Sequence, residues 1–421
     1  MKILVIGSGG REHALCWKLA QHPDTKVYVA PGNTGMCDEA VLVNIKVDDI
    51  QMLVDYAKAE EIDLTVVGPE LPLTLGVVDA FREAGLACFG PSKAAARLEG
   101  SKAFSKELMK KYNIPTAAFD TFTDVEKAKA FVDEIGIPCV VKADGLAAGK
   151  GVIICMTREE ADAAIDDMLS GHAFGDASAQ IVIEEFLEGP EVSVLAFADG
   201  KHVRPMVSAQ DHKRIYDGDK GPNTGGMGAY SPAPVYTEEI AELVNRTIIE
   251  PTIKAMEAEG APFTGILYTG LMLTDKGPRV LEYNVRFGDP ETQPIMMRMK
   301  SDIVPIFQAC IDGTLDQVDI EWYDDAAVCV VMASGGYPAS SEKGVVIHGL
   351  EKVKKDEAVV FHSGTTMNGG EVVTNGGRVL GVTAKDATIK GAIEKAYQAV
   401  EKISFDNMQF RRDIGKAIDE A

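Results

Sequence analysis

Lys2-Ile3-Leu4-Val5-Ile6-Gly7-Ser8-Gly9-Gly10-Arg11-Glu12-His13 opens the chain. The unbroken apolar run at 3–6 reads as a strand buried on both faces, as in parallel sheets. The glycine-rich turn leads into a helix carrying Ala14, Leu15, Trp17 and Leu19. Further apolar runs follow at 26–30, 64–67 and 87–89, closed by Pro31-Gly32-Asn33, Gly68-Pro69-Glu70 and Gly90-Pro91-Ser92. Strands alternating with helices predict a parallel sheet with right-handed crossovers, whose ligands gather at the carboxyl ends of its strands. All four turns lie at such ends. The first is not a dinucleotide fingerprint, because Glu12 stands at the third small position and no acid follows the second strand. NAD is therefore rejected. The helix start remains an anion-site candidate, with a plain strand-to-helix turn as the competing reading.

Beyond residue 100 the texture changes. A helix is expected over 101–112, then strands at 138–142, 152–155, 180–187 and 191–198. Asp199-Gly200 is expected to turn a hairpin into 202–208. These are mostly antiparallel signals. A polar stretch at 211–231 reads as a long loop of functional length. A hairpin is expected from 265–274 and 279–287. Short strands at 327–332, 345–347, 358–362 and 378–384, with a helix over 388–403, indicate a small α+β domain.

Chemistry concentrates in Val280-Leu281-Glu282-Tyr283-Asn284-Val285-Arg286-Phe287. Alternation along a strand puts Glu282, Asn284 and Arg286 on one face, successive side chains about 7 Å apart. Carboxylate and amide oxygens suit magnesium, and an arginine forks onto phosphoryl or carboxylate groups. A solvated strand face is the alternative, weakened by the polar sequel Gly288-Asp289-Pro290-Glu291-Thr292-Gln293. In Lys142-Ala143-Asp144-Gly145-Leu146-Ala147-Ala148-Gly149-Lys150-Gly151, small residues after a strand-ending lysine let backbone N–H groups approach phosphate. The spacing is not that of a Walker A loop. Glu184 and Glu185 end the strand at 180–187, and Glu191 begins the next; alone, these also fit a solvated edge. Asp211-His212-Lys213-Arg214 and Gly221-Pro222-Asn223-Thr224-Gly225-Gly226-Met227-Gly228 form a charged, glycine-rich stretch suited to closing on substrate, with His212 read as a bystander.

A length of 421 residues argues for two to four domains, and 46% hydrophobic with 25% charged residues is ordinary globular composition. The net charge of −22 argues against an extended nucleic-acid surface. Seven scattered cysteines with no CxxC pair suggest reduced, packed thiols. The apolar run at 3–6 is too short for a signal peptide, and no stretch reaches the roughly 20 apolar residues of a membrane span. A cytoplasmic enzyme is the expectation. Without a heptad or apolar patch, a monomer is expected.

Together these stretches resemble the ATP-grasp superfamily and, more closely, the phosphoribosylamine–glycine ligase (glycinamide ribonucleotide synthetase) family. Gly221–Gly228 and Arg286–Gln293 are its most specific matches. The resemblance implies a Rossmann-like domain over 1–100, a two-lobed ATP-grasp core over 101–325 with 120–190 as the mobile nucleotide-covering lobe, and an α+β domain over 326–421. It also implies ATP with Mg2+ or Mn2+, and glycine and 5-phosphoribosylamine as substrates. Lys102, Lys142, Gly149 and Glu184 would serve ATP, Glu185 and Leu187 adenine, and Glu191 the ribose. Glu282 and Asn284 would hold metal. Gly9, Gly10, Asn33, Glu70, Lys213, Gly226 and Asp289 would bind substrate, with Lys142, Arg286 and Asp211 closest to the chemistry. Many superfamily members carry a further metal-binding acid where this chain reads Tyr268-Thr269-Gly270-Leu271. A phosphoribosyl-aminoimidazole carboxylase is the runner-up, and a nucleotide-sensing module without turnover is the non-enzymatic alternative.

Overall fold

A computed structural model describes residues 1–147, 151–170 and 179–416. Lys2–Gly7 is the central strand of a five-stranded parallel sheet, ordered Ala40–Leu42, Lys26–Pro31, Lys2–Gly7, Leu64–Val67, Cys88–Phe89. The helix Gly10–Leu19 follows as expected. Glu12 accepts from the Gly9 N–H at 2.7 Å, satisfying a donor that the helix start would otherwise leave unpaired. Ala40–Leu42 is an edge strand the sequence reading passes over.

Two four-stranded antiparallel sheets come next. One contains Phe119–Phe122, Ile181–Glu185, Cys139–Ala143 and Val152–Cys155. Its core, including Val132, Val141, Ile165 and Ile183, is separate from the rest. The other runs Val203–Pro205, Glu191–Asp199, Thr264–Thr274, Gly277–Asn284. Val192, Val194, Leu267 and Val280 of this sheet share a core with Leu4, Ile6 and Phe81 of the parallel domain.

Two expectations change here. The strand read through 287 stops at Asn284, with Val285 and Arg286 in a bend. The Val285 N–H leaves the ladder because Glu99 Oε2 accepts it at 2.8 Å. Alternation also breaks at a bulge: Glu282 faces Gly270 while Val280 faces Leu271, so Leu281 lacks a cross-strand partner. The stretch 211–231, read as a loop, contains the hairpin Arg214–Tyr216 with Lys220–Asn223, and the strand Gly228–Ser231.

That last strand enters a five-stranded sheet ordered Gln210–Asp211, Gly228–Ser231, Ala326–Ala333, Arg378–Asp386, Val359–His362, against which Ile389–Val400 packs. The strand expected at 345–347 is reduced to one bridge between Val346 and Val373, while Thr365–Asn368 and Glu371–Thr374 form an unanticipated hairpin. Among the described residues, no helix is long and apolar enough to cross a membrane.

Candidate active site

The bulge at Leu281 positions the first lysine. Lys142, near the end of the strand Cys139–Ala143, donates to the Leu281 carbonyl at 3.3 Å and pairs with Glu184 Oε1 at 2.8 Å. Glu184 Oε2 lies 3.1 Å from Lys106, which donates to Thr116 Oγ1 at 2.7 Å; that hydroxyl donates to the Val280 carbonyl. Burial would raise the Glu184 carboxyl, but Lys142 and Lys106 outweigh it and hold its pKa low. Burial lowers Lys106 to about 8 against the pull of Glu184. Lys106→Met should cost ~2 kcal/mol, below the full penalty for a stranded buried charge because Lys142 remains. Urea unfolding checks this; an unchanged midpoint would show that the pair contributes nothing.

Lys102 starts the helix Lys102–Lys111, capped by Ser101. Asp144 fixes this helix start, accepting from Ser101 Oγ at 3.0 Å and the Ala103 N–H at 2.7 Å, and Lys102 Nζ reaches the Gly145 carbonyl at 3.1 Å. Burial lowers the Lys102 pKa, partly opposed by Glu282.

Glu282 is the centre of the charge pattern. Burial raises its pKa, but Lys213, Lys142, Lys102 and Arg286 together hold it below the ordinary carboxylate value. Yet its carboxylate makes no hydrogen bond or ion pair with any described residue. Asn284 Oδ1 accepts from Arg286 at 3.3 Å. A free carboxylate beside an amide oxygen is a hard donor set that fits Mg2+ or Mn2+.

The 210–213 segment adds charges that act on Glu282. Lys213 pairs with Glu191 Oε2 at 2.9 Å. Burial raises Asp211 to about 7, against the opposing charge of Lys213. His212 accepts from the Gly415 N–H at 3.3 Å, anchoring the chain end, and burial lowers it to about 4.

The remaining candidates fall into different environments. Leu187 has neither backbone group bonded to a described residue, whereas the Glu185 N–H donates to the Ala118 carbonyl at 2.9 Å. Gly149 lies outside the described residues. At the Gly10–Leu19 helix start, the Gly9 N–H is held by Glu12, and the Arg11 N–H faces Asp289 Oδ2 at 3.4 Å. A Cβ on Gly10 would meet Ser363 Oγ at 2.5 Å. Asn33 donates to the Ser8 and His362 carbonyls at 2.8 Å and accepts from the Gly35 N–H, so its amide ties the first turn to the C-terminal domain. Glu70 sits 3.3 Å from Arg286 Nε; burial raises its pKa, and Arg286 and Arg11 overcome that. Gly226 has φ +122°, and a Cβ there would strike Pro290 at 2.5 Å.

Three residues the sequence reading passed over belong to this constellation. Arg378 donates to the Gly225 carbonyl at 2.9 Å and the Asp289 carbonyl at 2.8 Å, tying the two loops to the C-terminal sheet. Lys106 and Glu99 are the others. Glu99 had a visible signal, since an acid at i+4 from Ala95 and beside Leu98 interrupts an apolar helix stripe.

Comparisons with known proteins agree along the whole chain. The N domain, the ATP-grasp (A) domain and the C domain of phosphoribosylglycinamide synthetase match residues 1–99, 100–292 and 327–417. The chain is 58% identical to a phosphoribosylamine–glycine ligase of Vibrio vulnificus, covering 99% of this chain and 98% of the relative. It is 56% identical, at the same coverage, to one of Escherichia coli O6:H1. A crystal structure of phosphoribosylamine–glycine ligase from Thermotoga maritima superposes with TM-score 0.86 at 35% identity, over 98% of this chain and all of that one. A biotin carboxylase from Campylobacter jejuni shares the fold at TM-score 0.75 and 16% identity, over all of this chain and 95% of that one. Matched in all three of its domains, the chain belongs to the phosphoribosylglycinamide synthetase family.

Proposed function

We propose that this enzyme joins glycine to 5-phosphoribosylamine with conversion of ATP to ADP and phosphate, giving glycinamide ribonucleotide for purine synthesis. The observation that carries the reading is the Glu282 carboxylate, unbonded among the described residues, on the strand of Asn284 and within the field of four cations. That arrangement suits a metal-bound polyphosphate with an acyl acceptor alongside.

In the first step a glycine carboxylate oxygen attacks the γ-phosphorus; the bond to the β-phosphate bridging oxygen breaks, releasing ADP and leaving glycyl phosphate. In the second, the amine nitrogen of phosphoribosylamine attacks the acyl carbon. Phosphate leaves, and the nitrogen gives up a proton. Lys142 and Lys102 hold the phosphates, and Arg286 orients the glycine carboxylate and the transferring phosphoryl group, so catalysis is mainly positioning and charge neutralisation. Glu282 and Asn284 would hold Mg2+ or Mn2+, which when bound would supply charge neutralisation at the phosphates. Asp211, raised to about 7 by burial, suits uptake of the amine proton near neutral pH.

Leu187, whose backbone groups are unbonded among the described residues, serves the adenine edge alongside Glu185. Glu191 serves the ribose, and Gly149 serves ATP. Glu184 acts through Lys142. Gly9, Gly10, Glu70, Lys213, Gly226 and Asp289 line the phosphoribosylamine and glycine sites, and Asn33 shapes the first turn. The separate core of the 119–185 sheet supports its motion as a unit, the mobile lobe of 120–190, between domains at 1–100 and 326–421. The enzyme works as a cytoplasmic monomer.

The deciding measurement is phosphate release from ATP with glycine, with and without freshly made phosphoribosylamine. Full release should require both, with labelled glycine entering an amide. Turnover with bicarbonate in place of glycine would make the enzyme a carboxylase and overturn the reading.

A further inference from the structure

We infer that Glu99, buried behind the site on the helix Lys93–Gly100, is the positioning residue that aims Arg286 at its ligand; this rests on the role given to Arg286 above. The side chain of Glu99 is only 7% exposed, so no substrate touches it. Its two oxygens are divided between backbone and side chain of adjacent residues. Oε2 accepts the Val285 N–H at 2.8 Å, and Oε1 pairs with Arg286 Nη2 at 3.0 Å. One carboxylate therefore both ends the strand after Asn284 and fixes the guanidinium that follows.

The other contacts of Arg286 leave Glu99 this task. Nη1 donates to the Phe287 carbonyl at 3.2 Å and Nη2 to Asn284 Oδ1 at 3.3 Å, both local contacts that turn with the loop. Glu70 lies 3.3 Å from Nε, a longer ion pair, and Nε makes no hydrogen bond to a described residue. The Glu70 side chain is also far more open, at 31% exposure. Glu99 thus supplies the shorter and more buried of the two carboxylate ion pairs that reach Arg286 from distant elements. It stands three residues before Lys102, on the helix that runs into the Lys102 helix cap. The same contact therefore sets Lys102 relative to the Glu282–Arg286 segment.

Steady-state kinetics of the full chain test this, with KM for glycine and for ATP measured separately alongside thermal midpoints. Glu99→Gln keeps one oxygen to accept the Val285 N–H but turns its NH2 donor, in place of a charged acceptor, toward Arg286. It should raise KM for glycine roughly tenfold while KM for ATP changes less than about twofold. In an Arg286→Gln background the same change should add under about twofold, because the two residues act as one unit. Glu99→Asp, which keeps the charge on a shorter arm, should fall between wild type and Glu99→Gln, and replaces it in the same assays if Glu99→Gln does not fold. Unchanged KM for glycine, equal losses for both substrates, or an undiminished effect in the Arg286→Gln background would each overturn the inference. If Arg286→Gln alone leaves KM for glycine unmoved, the role of Arg286 itself fails, which separates the two outcomes.

Discussion

Lys142→Ala should lower phosphate release from ATP by on the order of 1,000-fold, the scale set by losing one preorganised charge at a transferring phosphoryl group. The side chain is nearly buried, at 9% exposure, and held by Glu184 and the Leu281 carbonyl rather than free in solvent. That order means little reorganisation is needed when nucleotide arrives. The fold should survive the substitution, because Lys106 remains on Glu184 and keeps the carboxylate paired. Circular dichroism and a thermal midpoint within a few degrees of wild type would establish this. Near-normal turnover in a folded Lys142→Ala protein would remove the lysine from the phosphate site.

Glu282→Ala should abolish activity and metal binding together, with turnover down by on the order of 1,000-fold or more. Four cations act on this carboxylate, and no described residue is bonded to it. Removing it leaves those cations facing each other and takes the charged oxygen donor from the pair formed with Asn284. Titration of Mn2+ with ATP present, followed by paramagnetic resonance, reads the metal directly. Activity recovered simply by raising glycine would place Glu282 at the amino acid instead of the metal.

The parallel domain was legible because a strand buried on both faces has no polar positions to blur it. The runs at 3–6 and 64–67 emerge as Lys2–Gly7 and Leu64–Val67. Period-two reading also put Glu282 and Asn284 on one strand face, where they lie opposite Gly270 and Tyr268. It overextended the strand, since the acceptor that ends it, Glu99, lies 186 residues away in sequence. The same distance problem hid the strand Gly228–Ser231, whose partner Ala326–Ala333 is almost a hundred residues on. A polar, glycine-rich segment carries no local sign that a remote apolar strand will pair with it. Asn33 reads as a turn residue near ligand, but its amide is held by carbonyls on both sides of the chain's first and last domains. Lys106 and Glu99 could have been suspected, as charges on helix faces otherwise given to core packing.

Gly228–Ser231 lies inside the last sheet, hydrogen-bonded to Gln210–Asp211 on one side and Ala326–Ala333 on the other. A chain severed near residue 326 would leave each fragment with a raw, apolar sheet edge, an invitation to aggregate. Protein engineers wishing to transplant this catalyst, or to divide it into complementing halves, must therefore cut elsewhere or carry that short ribbon along with the tail.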